Sequence, residues 1–161
     1  FLNVVCPEVS KKLLVRYPSF KCESSVKELL EDRFPSIKWY QGIVSMPKQL
    51  RSSRLCIHDY LGTTWLETLS MNFPTIIFWD PTRVTMLQSA APYLDVLRKV
   101  NILHDSPESA AKLVNEIYEN PLAWWMSSER QQARNKFCHQ FARTSKNWKE
   151  EWKKEILKMV K

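Results

Sequence analysis

The chain lacks most of the features that place a protein early. No apolar run approaches the roughly 20 residues of a membrane-spanning helix, which excludes a transmembrane segment of that kind. No two cysteines stand at C-x-x-C spacing. Cys6, Cys22, Cys56 and Cys138 are scattered, so the spacing of a zinc site is absent. A chain of 161 residues can bury roughly two-thirds of its unfolded surface and has no need of disulfide staples. Reduced thiols and a cytoplasmic setting are therefore expected, with Cys56 and Cys138 as small buried hydrophobes. No D-x-D dyad is present to hold a metal-bridged diphosphate, and neither an internal repeat nor a low-complexity stretch appears. Nucleic-acid-binding motifs of the usual kinds are also missing, so neither a metal nor a nucleic acid is expected as a partner. The opening "FLNVVCPEVSKK" has neither the basic start nor the long apolar centre of a secretory signal. It also has no initiator methionine, and it reads as the start of a fragment or of a processed piece of something larger. Glycine is scarce, with two residues in the whole chain, Gly42 and Gly62.

What is present is an ordinary globular composition, 44% hydrophobic and 25% charged, with a net charge of +7. The basic residues crowd the last third, "ERQQARNKFCHQFARTSKNWKEEWKKEILKMVK", where acids are interleaved. Such mixing suits solvated helix faces carrying i,i+4 pairs. The sharper alternatives are an anionic membrane surface or phosphorylated small molecules.

Along the chain, short apolar runs alternate with helical patterns. "LLV", ended by Arg16, "SIKWYQG", "RLCIHD", "PTIIFW" and "ILHD" read as strands. Between them, "CESSVKELLEDRF", "MPKQLRSS" and "GTTWLETLSMN" read as helical, the last stopping at Asn72. "TRVTMLQSAAPYLDVLRKVN" is helical with a break near Ala91, imposed by Pro92. "SPESAAKLVNEIYEN" has Ser106 as N-cap and Pro107 at the first helical position. "PLAWWMSSERQQARNKFCHQFAR" and "NWKEEWKKEILKMVK" are two further helices, the second with Trp148, Trp152, Ile156 and Met159 on one stripe. This alternation predicts parallel βαβ units in a doubly wound α/β fold, with residues 1–120 as the sheet domain and 121–161 as C-terminal helices packed on it. Ligands of such sheets bind beyond the carboxyl ends of the strands. Arg16, His58-Asp59 and Trp79-Asp80 occupy those places.

The strand-to-helix turn "HDYLGTTWLE" is the candidate site. The first N–H groups of a helix have no internal partner and favour an anion. Gly62 lets the backbone approach closely, and Thr63 and Thr64 can donate hydroxyl bonds to phosphate oxygens. Glu67, one turn on, can accept two sugar hydroxyls. The plain alternative is Thr63 as an N-cap, Glu67 as a first-turn acid and His58 as a hydrogen-bonded structural histidine.

"VRYP", "SRLCIHDYLGTTWLETLSMNFPTIIFW", "PYLDVLRKVNILHDSPESAAKLVNEIY" and "WW…ARNKFCHQFART…W" together resemble transferases of bacterial surface-polysaccharide (O-antigen) biosynthesis. Those look like GT-B glycosyltransferases and are similar also to CDP-glycerol glycerophosphotransferases. The resemblance runs from about Leu13 to Trp152. It implies a Rossmann-like parallel sheet with helices on both faces, the C-terminal, donor-binding half of a GT-B enzyme, with extra C-terminal helices. An N-terminal Rossmann-like domain carrying the acceptor would be the missing half. By position, Thr63, Thr64 and Gly62 would touch the diphosphate of a nucleotide-sugar substrate, and Glu67 a ribose or sugar hydroxyl. Arg16 would stabilise the departing nucleoside diphosphate, and His58 and Asp59 would line the cleft. No cofactor is implied. Asn72 departs from the pattern, standing where many such proteins have glycine. The inner membrane surface, or a lipid-linked acceptor on it, is a further implied partner, with Trp124, Trp125, Trp148 and Trp152 candidates for either membrane contact or interhelical core. Two other functions remain open on these residues, alditol-phosphate transfer from a CDP-alditol and non-catalytic binding.

Overall fold

The computed structural model describes residues 1–17, 24–41 and 44–160. Its strands are β1 (Leu14–Tyr17), β2 (Lys38–Gln41), β3 (Cys56–His58), β4 (Thr75–Phe78) and β5 (Leu103–His104). Its helices are α1 (Pro7–Ser10), α2 (Ser24–Arg33), α3 (Met46–Leu50), α4 (Thr64–Ser70), α5 (Ala91–Lys99), α6 (Pro107–Ile117), α7 (Pro121–Trp125), α8 (Ser128–Phe141) and α9 (Trp148–Met159). Every strand pair is parallel. β1 lies beside β2, and β4 lies between β3 and β5, with His58 opposite Ile77 and Phe78 opposite His104.

β4 explains the layering. Thr75, Ile76 and Ile77 are all buried, as an apolar run covered on both faces requires. Side chains alternate across a strand. Ile77 joins a core with Trp65, Leu69, Leu94, Leu97, Trp125 and Phe137, from α4, α5, α7 and α8. Ile76 points the other way, into a core with Val9, Ala110 and Val114 from α1 and α6. Leu13, Leu55 and Ile57 pack on that second core, bringing the approaches to β1 and β3 onto one face. The fold is thus α/β with helices on both faces of parallel strands, consistent with a Rossmann-like arrangement.

Helix ends follow the residues expected to set them. Ser106 accepts the Ser109 N–H at 3.2 Å, with Pro107 opening α6. Asn72 closes α4 with φ 55°, the left-handed conformation glycine usually supplies and asparagine tolerates. α5 begins at Ala91 with Pro92 in its first turn, where the absent N–H costs nothing.

Three expectations shift. β1 runs through Arg16 to Tyr17 rather than ending at Val15. The long helix foreseen after Pro121 is two, because Ser127 is extended (φ −59°, ψ 142°) and restarts the chain as α8. The tryptophans divide. Trp125 is fully buried and Trp124 partly so, whereas Trp148 and Trp152 on α9 are 55% and 65% exposed. Gly42 and Cys22 lie outside the described residues, while Cys6, Cys56 and Cys138 are free thiols.

Candidate functional site

The carboxyl ends of β3, β4 and β5 lie side by side, and the turns leaving them carry the polar residues. β3 ends at His58. Asp59 and Tyr60 follow in solvent, and α4 starts at Thr64 with Thr63 before it. Neither Thr63 nor Thr64 is spent on the fold. Both are exposed, and Thr63, in a helical conformation (φ −74°, ψ −19°), makes no side-chain cap. The Thr63 carbonyl instead takes the Leu66 and Glu67 N–H groups at 3.1 and 3.2 Å. Glu67 is exposed on the same helix. Thr63 thus stands at the N-cap position of α4 through its carbonyl, with its hydroxyl not engaged in a cap.

Gly62 holds no left-handed backbone angle. Its small size matters for another reason. A Cβ built there would stand 3.2 Å from both Cδ1 and Cε1 of Tyr60, closer than ordinary van der Waals contact.

His58 is only 7% exposed. Thr68 spends its hydroxyl proton on the Trp65 carbonyl at 3.0 Å, so the His58 Nε2–H donates to Thr68 Oγ1, also at 3.0 Å. Cys56 Sγ lies 3.4 Å from the same nitrogen. Burial pushes the imidazole pKa down to about 4 and leaves the ring neutral, and it pushes the Cys56 thiol up to about 12. His58 therefore pins the end of β3 to α4, immediately behind the exposed turn.

Arg16 is exposed on β1, its Nη1 donating to Gln49 Oε1 of α3 at 2.9 Å. The structure thus places Asp59, Gly62 and Thr63 on one turn and Thr64 and Glu67 on the helix that follows it, with His58 behind, and places Arg16 in the other strand pair.

Two neighbouring turns also carry polar groups, one with Asp80, which the sequence places beyond a strand's carboxyl end, and one around His104, to which it gives no role. After β4, Asp80 Oδ1 accepts the Thr82 N–H (2.9 Å) and hydroxyl (2.6 Å), and Arg83 approaches Oδ2 at 3.3 Å. The Thr82 bonds, more than Arg83, hold the carboxyl below its usual range. After β5, Arg98, Asn101, His104, Asp105, Ser106 and Ser109 line an open pocket of about 300 Å³. There the His104 Nε2–H donates to the Asn101 carbonyl (3.0 Å), and Nδ1 accepts from the Ser109 hydroxyl (2.8 Å). Arg98 is engaged by Asp95 and Asp105 at 2.9 and 2.8 Å. The signal for both was position alone, at a strand's carboxyl end.

Among the described residues no group of three or more histidines, cysteines or carboxylates is placed to hold a metal ion, and no helix is long and apolar enough to cross a membrane. Compared with known proteins, the chain matches the family model described as LIC12162 family transferase over residues 1–156. No curated protein and no solved structure matches it.

Proposed function

The chain belongs to the LIC12162 family of transferases, and from that premise we propose that the β3–α4 turn binds the nucleotide-sugar donor of a GT-B-type glycosyl transfer in surface-polysaccharide (O-antigen) synthesis. One observation carries the reading. Thr63 and Thr64 stand exposed, their side chains free of capping bonds, at a helix start beyond the carboxyl end of the parallel strand β3, where anionic ligands of such folds bind. The donor diphosphate takes the hydroxyls of Thr63 and Thr64, and the exposed Glu67 carboxylate accepts hydroxyls of the ribose or sugar. Arg16 is the cation for the departing diphosphate, which requires its side chain to leave Gln49. Asp59 lines the cleft. His58, neutral and buried, acts by holding the turn. The acceptor, on a lipid at the inner membrane surface, comes from the side of a second Rossmann-like domain. The resemblance of "SRLCIHDYLGTTWLETLSMNFPTIIFW" to polysaccharide transferases supports the donor class.

Calorimetric titration with UDP, GDP and CDP tests this. Binding in the micromolar-to-millimolar range is expected, weakened about tenfold or more in Glu67→Ala and Arg16→Ala, the size expected for losing a charge-assisted hydrogen bond. A folded chain that binds none of the three overturns the proposal.

A further inference from the structure

Tyr60 is the large aromatic side chain most in solvent near the candidate site, 75% exposed, on the short turn between β3 and α4. A ring so exposed gains little for the fold. One edge of it lies against the neighbouring glycine. Gly62 is the one glycine among the described residues, and its backbone does not demand glycine, because φ is not positive. Its missing Cβ is the space against which the Cδ1–Cε1 edge of Tyr60 rests, 3.2 Å from where that carbon would be. Any other residue at 62 must push the ring aside by a few tenths of an ångström. The second contact of such a Cβ, Thr64 Oγ1 at 4.0 Å, is an ordinary one. The ring is the only neighbour that the glycine specifically accommodates. A ring seated along one edge and otherwise in solvent, three and four positions before the exposed threonines, has the form of a stacking platform. Aromatic platforms accept any base, because every base has a π face.

We propose that Tyr60 is the residue on which the donor's nucleobase stacks, and that Gly62 is small in order to seat it. This rests on the donor reading above. The partner is the base of the nucleotide rather than its phosphates, which separates the role of Tyr60 from that of Thr63 and Thr64. It also gives Gly62 a purpose different from close backbone approach to an anion.

The test is titration of the full chain with UDP, GDP and inorganic pyrophosphate, with absorbance of bound GDP near the base maximum as a second readout. Tyr60→Ala is expected to weaken UDP and GDP about tenfold, to leave pyrophosphate as in the wild type, and to abolish the hypochromism of bound GDP. Tyr60→Phe should match the wild type in all three. Gly62→Ala should weaken the nucleotides in the wild-type background and add nothing in Tyr60→Ala, because the two residues act through one contact. Nucleotide affinity unchanged in Tyr60→Ala, or pyrophosphate affinity falling in the same proportion, overturns the inference. A bound GDP with no hypochromism in the wild type does so as well. The two proposals fail separately. Nucleotide binding that is lost in Glu67→Ala but untouched in Tyr60→Ala removes this inference alone, whereas a folded wild type that binds no nucleotide removes both.

Discussion

His58 is the buried residue whose shifted acid–base behaviour falls in the mildly acidic range. Its ordinary pKa is 6.5, and burial takes it to about 4. Between those values the unfolded chain binds a proton that the native chain refuses, so the native state loses stability as pH falls from 6.5 to 4 and keeps this contribution in full above 6.5. By linkage the loss from pH 7 to pH 5 is about 2 kcal/mol. His104, lowered mainly by burial, adds in the same direction. Urea denaturation of the wild type and of His58→Gln at both pH values checks this. The variant is expected to be less stable at pH 7 and to lose clearly less between pH 7 and 5, and an equal loss in the two proteins contradicts it. The residue scale also shows what a sequence withholds. "HD" after an apolar run marks a strand end. Only packing shows that the imidazole turns inward to Thr68 while Asp59 stays in water. Asn72 was legible as a helix stop. That its carbonyl and Oδ1 also receive the Trp125 indole N–H, at 3.1 and 2.9 Å, depends on a residue 53 positions away.

At the scale of elements, α8 does more than cover the sheet. Arg134 reaches from it to the carboxyl end of α4, donating from Nε to the Leu69 carbonyl at 2.6 Å and from Nη2 to the Ser70 carbonyl at 3.1 Å. Arg130, one turn earlier, donates to the Val100 carbonyl at the end of α5 (3.1 Å) and to the Trp124 carbonyl (3.0 Å). The last carbonyls of a helix lack internal partners and carry partial negative charge, so a guanidinium satisfies both needs. Arg134→Ala is therefore expected to cost about 1–3 kcal/mol in urea denaturation. Arg134→Lys should recover only part of it, since an ammonium has no fork to span two carbonyls. A loss under 0.5 kcal/mol, typical of a surface residue, contradicts the capping role. Interleaved charge in the last third predicts a solvated face, and much of it is one. Arg130 and Arg134 are exceptions because they lie on the side of α8 that meets the ends of α4 and α5.

At the scale of the whole molecule, α8 and α9 differ in kind although both read as basic helices. α8 places Ala133, Phe137 and Cys138 in the core with Leu69 and Leu97, whereas α9 buries no residue. Its Glu151 accepts from the Ser145 hydroxyl at 2.6 Å and meets Arg143 at 3.4 Å, both in the segment that joins α8 to α9. Exposed contacts of this kind contribute little. A chain ending at Asn147 is expected to stay within about 1 kcal/mol of the full chain, whereas one ending at Ser127 exposes Leu69, Leu97 and Trp125 and does not fold. Circular dichroism and urea titration distinguish these outcomes, and a large loss on removing α9 alone contradicts this division.

The sequence by itself determined the order of strands and helices and the parallel α/β class, and it singled out the turn proposed above as the ligand site. Those are set by local chemistry, namely apolar runs at strand length, Ser106-Pro107 at a helix start and Asn72 at a helix stop. Tertiary structure decided which side chains on that turn remain free. Burial and pairing depend on how side chains meet in three dimensions, as with the Thr68 oxygen that accepts the His58 N–H, the ring of Tyr60 beside Gly62, and the core that admits Trp125 but leaves Trp148 and Trp152 in solvent.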